Sequence, residues 1–231
     1  MEHKRTVLIS GANRGIGMAT AKAFLVAGWN VSLGMRSPER SIWTPDETKH
    51  LHAYDANDPQ SADRWASDAT DRFGRIDAVV ANAGIMIRTP VIEASDEDFS
   101  SLMNVNVSAP RKLVKACWSE LVKTGTGRVV VISSLSGKRV KSAASGAYSV
   151  SKFAALGLSH AIRHEGFAHG IRSTAICPGL VSTDMGNALA AAADELTRPE
   201  DVAASIVHIV SLPNSASVSE FWVNCLLDES Y

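Results

Sequence analysis

Seven short apolar runs recur along the chain: Thr6–Ile9, Val31–Leu33, Leu51–Tyr54, Ala78–Ala81, Val129–Ile132, Ser173–Cys177 and Phe221–Leu227. Several are aliphatic throughout, with no polar residue at alternate positions, as strands covered on both faces must be. Between them lie amphipathic stretches that read as helices: Gly15–Ala27, Ser61–Phe73, Asp96–Lys123, Tyr148–Ala168 and Glu200–Leu212. Strands alternating with helices predict one doubly wound α/β domain over residues 1–231. Its sheet is expected to be mostly parallel, of about seven strands, with helices on both faces. Helix starts are expected at Asp58-Pro59, at Ser95 with Asp98 and at Thr197 with Glu200. Pro38 and Pro45 should break any helix between Ser37 and Lys49.

The first run leads directly into Ser10-Gly11-Ala12-Asn13-Arg14-Gly15-Ile16-Gly17 and then a helix. Glycines at 11, 15 and 17 allow a tight turn and a close approach to a diphosphate, which the helix N-terminus would attract. The competing reading is a turn that merely packs closely. Its place between a first strand and a helix favours the nucleotide. At the end of the second strand an acid suits a free ribose hydroxyl and an arginine suits a 2′-phosphate. The chain has Arg36 there and Arg14 in the turn, so NADP(H) is expected rather than NAD(H).

Tyr148 and Lys152 are four apart in a predicted helix and share a face. A tyrosine is too weak an acid to ionise near neutrality, and a neighbouring ammonium should lower its pKa. The fifth strand ends at Ser133-Ser134, on the sheet edge where open α/β sheets bind ligands. Ser134 there can hold a carbonyl oxygen beside the tyrosine.

With these residues in order, the sequence resembles the short-chain dehydrogenase/reductase family from residue 6 to about residue 212. The motifs are Gly11-x-x-x-Gly15-x-Gly17, Asp55, Ala81-Asn82-Ala83-Gly84, Asn106, Ser134, Tyr148-x-x-x-Lys152 and Pro178-Gly179. The resemblance implies oxidoreduction between a carbonyl and a secondary alcohol, with Tyr148 as acid and base and Ser134 orienting the carbonyl. Lys152 would bind the nicotinamide ribose and lower the Tyr148 pKa, and Asn106 would hold a relay water. Asp55 and Ala56 would meet the adenine, and Asn82, Ala83 and Gly84 the ribose side. Pro178, Gly179, Val181 and Thr183 would meet the nicotinamide and diphosphate. Pro110 supports the relay independently, because it deprives the Asn106 carbonyl of its helical donor. Family members usually pair through the helices that here contain Asn106 and Tyr148, so a homodimer or homotetramer is expected. Fourteen residues separate Ser134 from Tyr148, which leaves Ser136 as a rival for the serine role. The other reading is a protein that binds NADP to regulate a partner without catalysis. The complete Asn106, Ser134, Tyr148 and Lys152 set argues against it, since a sensor needs no proton donor.

Lys138, Arg139 and Lys141 before Tyr148, together with Arg88, suit either an anionic substrate or a solvated loop. The substrate lid is expected in the alanine-rich segment Met185–Leu196. A net charge of -1 argues against bulk-charge binding of nucleic acid. Three scattered cysteines exclude a disulfide framework and fit a reduced, cytoplasmic setting. No metal-ligand spacing occurs among the histidines. No run of about 18 apolar residues occurs, so no membrane association is expected.

Overall fold

The computed structural model describes residues 4–189 and 196–227. Its strands are β1 (Thr6–Ser10), β2 (Asn30–Met35), β3 (Lys49–Ala53), β4 (Ala78–Ala81), β5 (Arg128–Ile132), β6 (Arg172–Pro178) and β7 (Glu220–Val223). They form one sheet in the order β3-β2-β1-β4-β5-β6-β7, and every pairing is parallel. The doubly wound expectation holds, with the strand order reversing between β1 and β4. That reversal opens a crevice at the carboxyl ends of the strands, the usual ligand position in such sheets.

The helices are α1 (Gly15–Val26), α2 (Ser61–Phe73), α3 (Asp96–Met103), α4 (Ala109–Ala116), α5 (Trp118–Thr124), α6 (Gly146–Gly166), α7 (Asp184–Asn187) and α8 (Pro199–Ser211). Side chains alternate across a strand, so β1 feeds two cores. Val7 and Ile9 pack with Phe24 of α1 and Ile206 of α8. Leu8 packs on the other face with Trp65 of α2, Leu113 of α4 and Ile162 of α6. β1, β5 and β6 are buried along their whole length, whereas the edge strand β3 is only half-buried and carries Lys49, His50 and His52. The solid apolar runs thus mark the central strands, and the polar edge is what a terminal strand tolerates.

Five expectations need correction. The long helix over Asp96–Lys123 is interrupted: a π turn at Asn104–Ser108 separates α3 from α4, and Cys117 separates α4 from α5. Pro110 stands in the first turn of α4, directly after the π turn. The last strand stops at Val223 rather than Leu227, and the third runs from Lys49 to Ala53. Asp58 does not cap α2; its Oδ1 accepts from Gln60 N at 2.9 Å in a turn one residue before the helix cap. Thr197 does not cap α8, whose cap is Arg198; it instead bridges Val181 in parallel. Ser95 does cap α3, accepting from Asp98 N at 3.1 Å. The segment after β2 contains only a 3₁₀ turn at Pro38–Arg40, as its prolines require. Of the alanine-rich lid, residues 190–195 lie outside the described residues. No described helix is long and apolar enough to cross a membrane.

Candidate active site

The glycine turn takes its shape from three separate constraints. Gly11 and Gly15 have φ of +68° and +53°, a region unfavourable to side chains. Gly17 has ordinary φ, but a Cβ there would clash with the Gly11 carbonyl oxygen. Arg14 is the extended residue before α1 and offers no side-chain cap, so the first-turn N–H groups lack side-chain partners from their own cap. The turn is pinned from outside. Gly11 N donates to the Gly34 carbonyl at 2.8 Å, and Trp43 Nε1 donates to the Ala12 carbonyl at 3.0 Å. Ser10, which no sequence signal singled out, accepts at its hydroxyl from both Asn82 N and Ala83 N, each at 3.0 Å. The Asn82 amide returns a bond to the Ser10 carbonyl at 2.9 Å. Asn82 therefore joins the ends of β4 and β1 where the crevice opens.

One cleft of about 1030 Å³ runs from this turn to Tyr148. At one end it is lined by Gly11, Asn13, Arg14, Gly15, Ile16, Arg36, Asp55 and Ala56. Asn82, Ala83, Gly84, Pro178, Gly179, Val181 and Thr183 line its middle, and Ser134, Tyr148 and Lys152 the other end. Gly17 and Asn106 stand behind the wall rather than in it. Arg36 is exposed at the end of β2, with no ion-pair partner among the described residues. Arg14 differs: its guanidinium meets Asp184 of α7 at 2.6 Å, both side chains being well exposed. Such a pair contributes little stability, but it spans the mouth between the glycine turn and α7. Thr183 caps α7, accepting from Gly186 N at 3.2 Å, and its methyl would lie 2.9 Å from any Cβ at Gly15. Asp55 accepts from Asn57 N at 2.9 Å in a turn at the far end.

At the opposite end, Tyr148 lies in the first turn of α6 and is 8% exposed. Burial pushes its hydroxyl up to about 12, while a hydrogen bond with Ser134 pulls the other way. Burial dominates that balance. Lys152 Nζ lies 5.6 Å from the Tyr148 ring centroid and donates to the Ile132 carbonyl at 3.0 Å. Burial lowers Lys152 itself to about 8. Tyr148 therefore holds its proton at neutral pH. Between the two serines, Ser134 is the one that hydrogen-bonds Tyr148; Ser136 N donates to the Ser134 hydroxyl at 3.0 Å.

The lysine gives a pH prediction with a definite sign. Its pKa falls from an ordinary 10.5 to about 8 on folding. Above about pH 8 the unfolded chain therefore holds more protons than the native one, and stability rises with pH. The buried Cys117 and Cys177 thiols, both raised above their ordinary 9.0, contribute the opposite slope as the pH nears 9. Urea unfolding between pH 8 and 9 should show a more positive slope of stability against pH in the parent protein than in Lys152→Met. Equal slopes in the two proteins would refute it.

Asn106, expected to hold a relay water, has its side chain bonded within the fold. Its Oδ1 accepts from Ile85 N, and its Nδ2 donates to the Ile85 carbonyl and to Ser151 Oγ, all at 2.9 Å. Ser151 in turn donates to the Tyr148 carbonyl at 2.7 Å. The amide is fully occupied in clamping the segment after β4 onto α6, at a π turn of the kind found at functional sites. Ser133 and Ser151, both buried, were missed in the sequence because lone serines carry no pattern. Lys138 also leaves its expected group: it pairs with Glu220 at 2.9 Å and lies 4.8 Å over the Trp222 ring. Arg88, Arg139 and Lys141 line the cleft.

A family model described as short chain dehydrogenase matches residues 5–194. The agropine synthesis reductase of Rhizobium rhizogenes is 34% identical over 227 residues, covering 95% of this chain and 52% of its own length. The chain thus spans about half the length of these first curated relatives. The oxidoreductase UcpA of Escherichia coli is 33% identical, covering 85% of this chain and 75% of the relative. Among solved structures, an alcohol dehydrogenase from Thermococcus sibiricus complexed with 5-hydroxy-NADP superposes with a TM-score of 0.87 at 27% identity, covering 99% of this chain and 100% of that one.

Proposed function

The chain belongs to the short-chain dehydrogenase family, and from that premise we propose that it is an NADP(H)-dependent oxidoreductase interconverting a carbonyl and a secondary alcohol. The observation that carries the reading is one continuous cleft with a side-chain-free turn at one end and a proton-holding Tyr148 at the other. The turn suits a dinucleotide because the missing Cβ atoms leave backbone N–H groups approachable by a diphosphate. Arg36 and the relative complexed with 5-hydroxy-NADP support the phosphorylated cofactor.

A bound nicotinamide supplies or accepts the hydride. The remaining work falls to the chain. Ser134 hydrogen-bonds the carbonyl oxygen and positions it beside Tyr148 Oη. Tyr148 gives its proton to that oxygen as negative charge develops, and takes it back in the reverse direction. A hydroxyl held near pKa 12 keeps that proton available at neutral pH. Lys152, held between the Ile132 carbonyl and the cleft, would bind the ribose hydroxyls. Asn106 and Ser151 act through α6 by positioning Tyr148. Phe153, 43% exposed on α6, supports pairing of two copies through that helix.

Fluorescence titration with NADPH and NADH tests the cofactor assignment. NADPH should bind more tightly, and Arg36→Asp should reverse the preference. Losing a charge-assisted contact costs about 1.5–3 kcal/mol, roughly a tenfold or greater loss of NADPH affinity. An unchanged ratio in Arg36→Asp would remove Arg36 from the assignment. Tight binding without oxidation of NADPH across ketones, aldehydes and keto acids would favour the regulatory reading.

A further inference from the structure

Three side chains converge at the outer edge of the sheet, away from the cofactor cleft. His50 and His52 are two apart on β3 and so share one face of that edge strand. α2 brings Asp68 onto the same face, against His52. One ligand atom from each residue, two ring nitrogens and a carboxylate oxygen, lies within 4.8 Å of the other two. None of the three residues lines the cleft. No spacing along the chain announces the set, because Asp68 arrives from a different element.

The geometry is close to what a zinc ion requires. Zinc binds imidazole nitrogen and carboxylate oxygen at about 2.0–2.2 Å in a tetrahedron, which sets neighbouring ligand atoms roughly 3.3–3.5 Å apart. His52 Nδ1 and Asp68 Oδ2 already stand 3.1 Å apart. The His50 nitrogen has to close by no more than about 1.5 Å, within reach of a side-chain rotation.

Both rings are supported from behind. His50 Nδ1 shares a hydrogen bond of 2.9 Å with Ser32 Oγ, which also accepts from Trp65 Nε1 at 2.8 Å. The Trp65 indole stacks on the His52 ring, with 6.1 Å between centroids and 12° between planes. Metal-binding histidines are oriented by outer partners of this kind. Burial holds both histidines below their ordinary pKa, so the rings are neutral at pH 7 and the contact of His52 with Asp68 is not an ion pair. Nearby cations are engaged elsewhere: Arg64 pairs with Asp58, and Arg72 Nη2 donates to the Asp46 carbonyl at 2.8 Å. The Asp68 side chain is 54% exposed, which gives an ion a path from solvent.

We propose that His50, His52 and Asp68 bind a divalent transition metal of the zinc class, with water completing the tetrahedron. Two nitrogen ligands favour such an ion over Mg²⁺ or Ca²⁺, which seek oxygen. The ion would clip β3, an edge strand paired on one side alone, to α2.

Isothermal titration of the full chain with ZnCl₂, in a buffer that does not bind metal, should show a saturable site. His52→Ala should weaken it about tenfold or more, since one of three protein ligands is lost. Asp68→Asn, an isosteric change at an exposed position, should weaken it severalfold. His164→Ala, at an exposed histidine outside the set, should leave the affinity unchanged. MgCl₂ should give no saturable binding. In ¹⁵N-labelled protein the ring signals of His50 and His52, identified by His50→Gln and His52→Gln, should shift together as Zn²⁺ is added. Absence of saturable Zn²⁺ binding would overturn the proposal. So would an affinity unchanged in both His52→Ala and Asp68→Asn, which would place the ion on other histidines.

Discussion

Tyr148→Phe should lower turnover by about 10²–10⁴-fold, the usual contribution of a positioned acid or base. NADPH binding should be retained. The ring fills the same buried space in both proteins, and only the hydroxyl, which bonds Ser134, is removed. The loss should fall on kcat, because the proton is needed in the transition state rather than for binding. Steady-state kinetics with the best carbonyl substrate, beside a fluorescence titration of NADPH, separates the two effects. Retained turnover would show that another group supplies the proton. Ser134 would then be examined first, as the hydroxyl in contact with Tyr148.

Trp65→Ala should destabilise the fold by about 3–5 kcal/mol, as large-to-small changes at buried aromatics do. Trp65 is fully buried in α2. Its Nε1 donates to Ser32 Oγ of β2 at 2.8 Å, and its ring lies 5.0 Å from that of Tyr54. A Cβ at Gly34 would come within 2.5 Å of it, so the indole occupies the space that this glycine leaves open. Truncation therefore opens a cavity and removes one of the two hydrogen bonds of the buried Ser32 hydroxyl, which keeps that with His50 Nδ1 at 2.9 Å. Urea unfolding monitored by circular dichroism measures the loss, and a change below about 1 kcal/mol would contradict the packing argument. Because Arg36 directly follows β2, NADPH affinity should fall as well.

The central sheet was legible because burial on both faces leaves a direct mark. β1, β4, β5 and β6 are aliphatic runs bounded by turn residues. The edge strand β3 was placed less accurately, since its half-exposed, histidine-rich pattern carries no such mark. Helices were legible in type but not in continuity. Nothing in the periodicity of residues 96–123 announced the π turn, which is held by Asn106 bonds to Ile85 and Ser151 from distant parts of the chain. Caps failed where a tertiary partner intervened: Thr197 bridges Val181 and leaves α8 to Arg198.

The same division holds for the site. Local sequence determined the strand–turn–helix with its glycines, the shared face of Tyr148 and Lys152, and the position of Ser134 at a strand end. Each depends on spacing along a single element, and spacing is a local property. Tertiary structure decided which charges stay available. Lys138 pairs with Glu220 and Arg14 with Asp184, across 82 and 170 residues of chain respectively. It also decided the protonation of the tyrosine, because burial among several elements outweighs the hydrogen bond with Ser134. Long-range pairing and desolvation depend on what the folded chain brings together, and no window of the sequence contains that information.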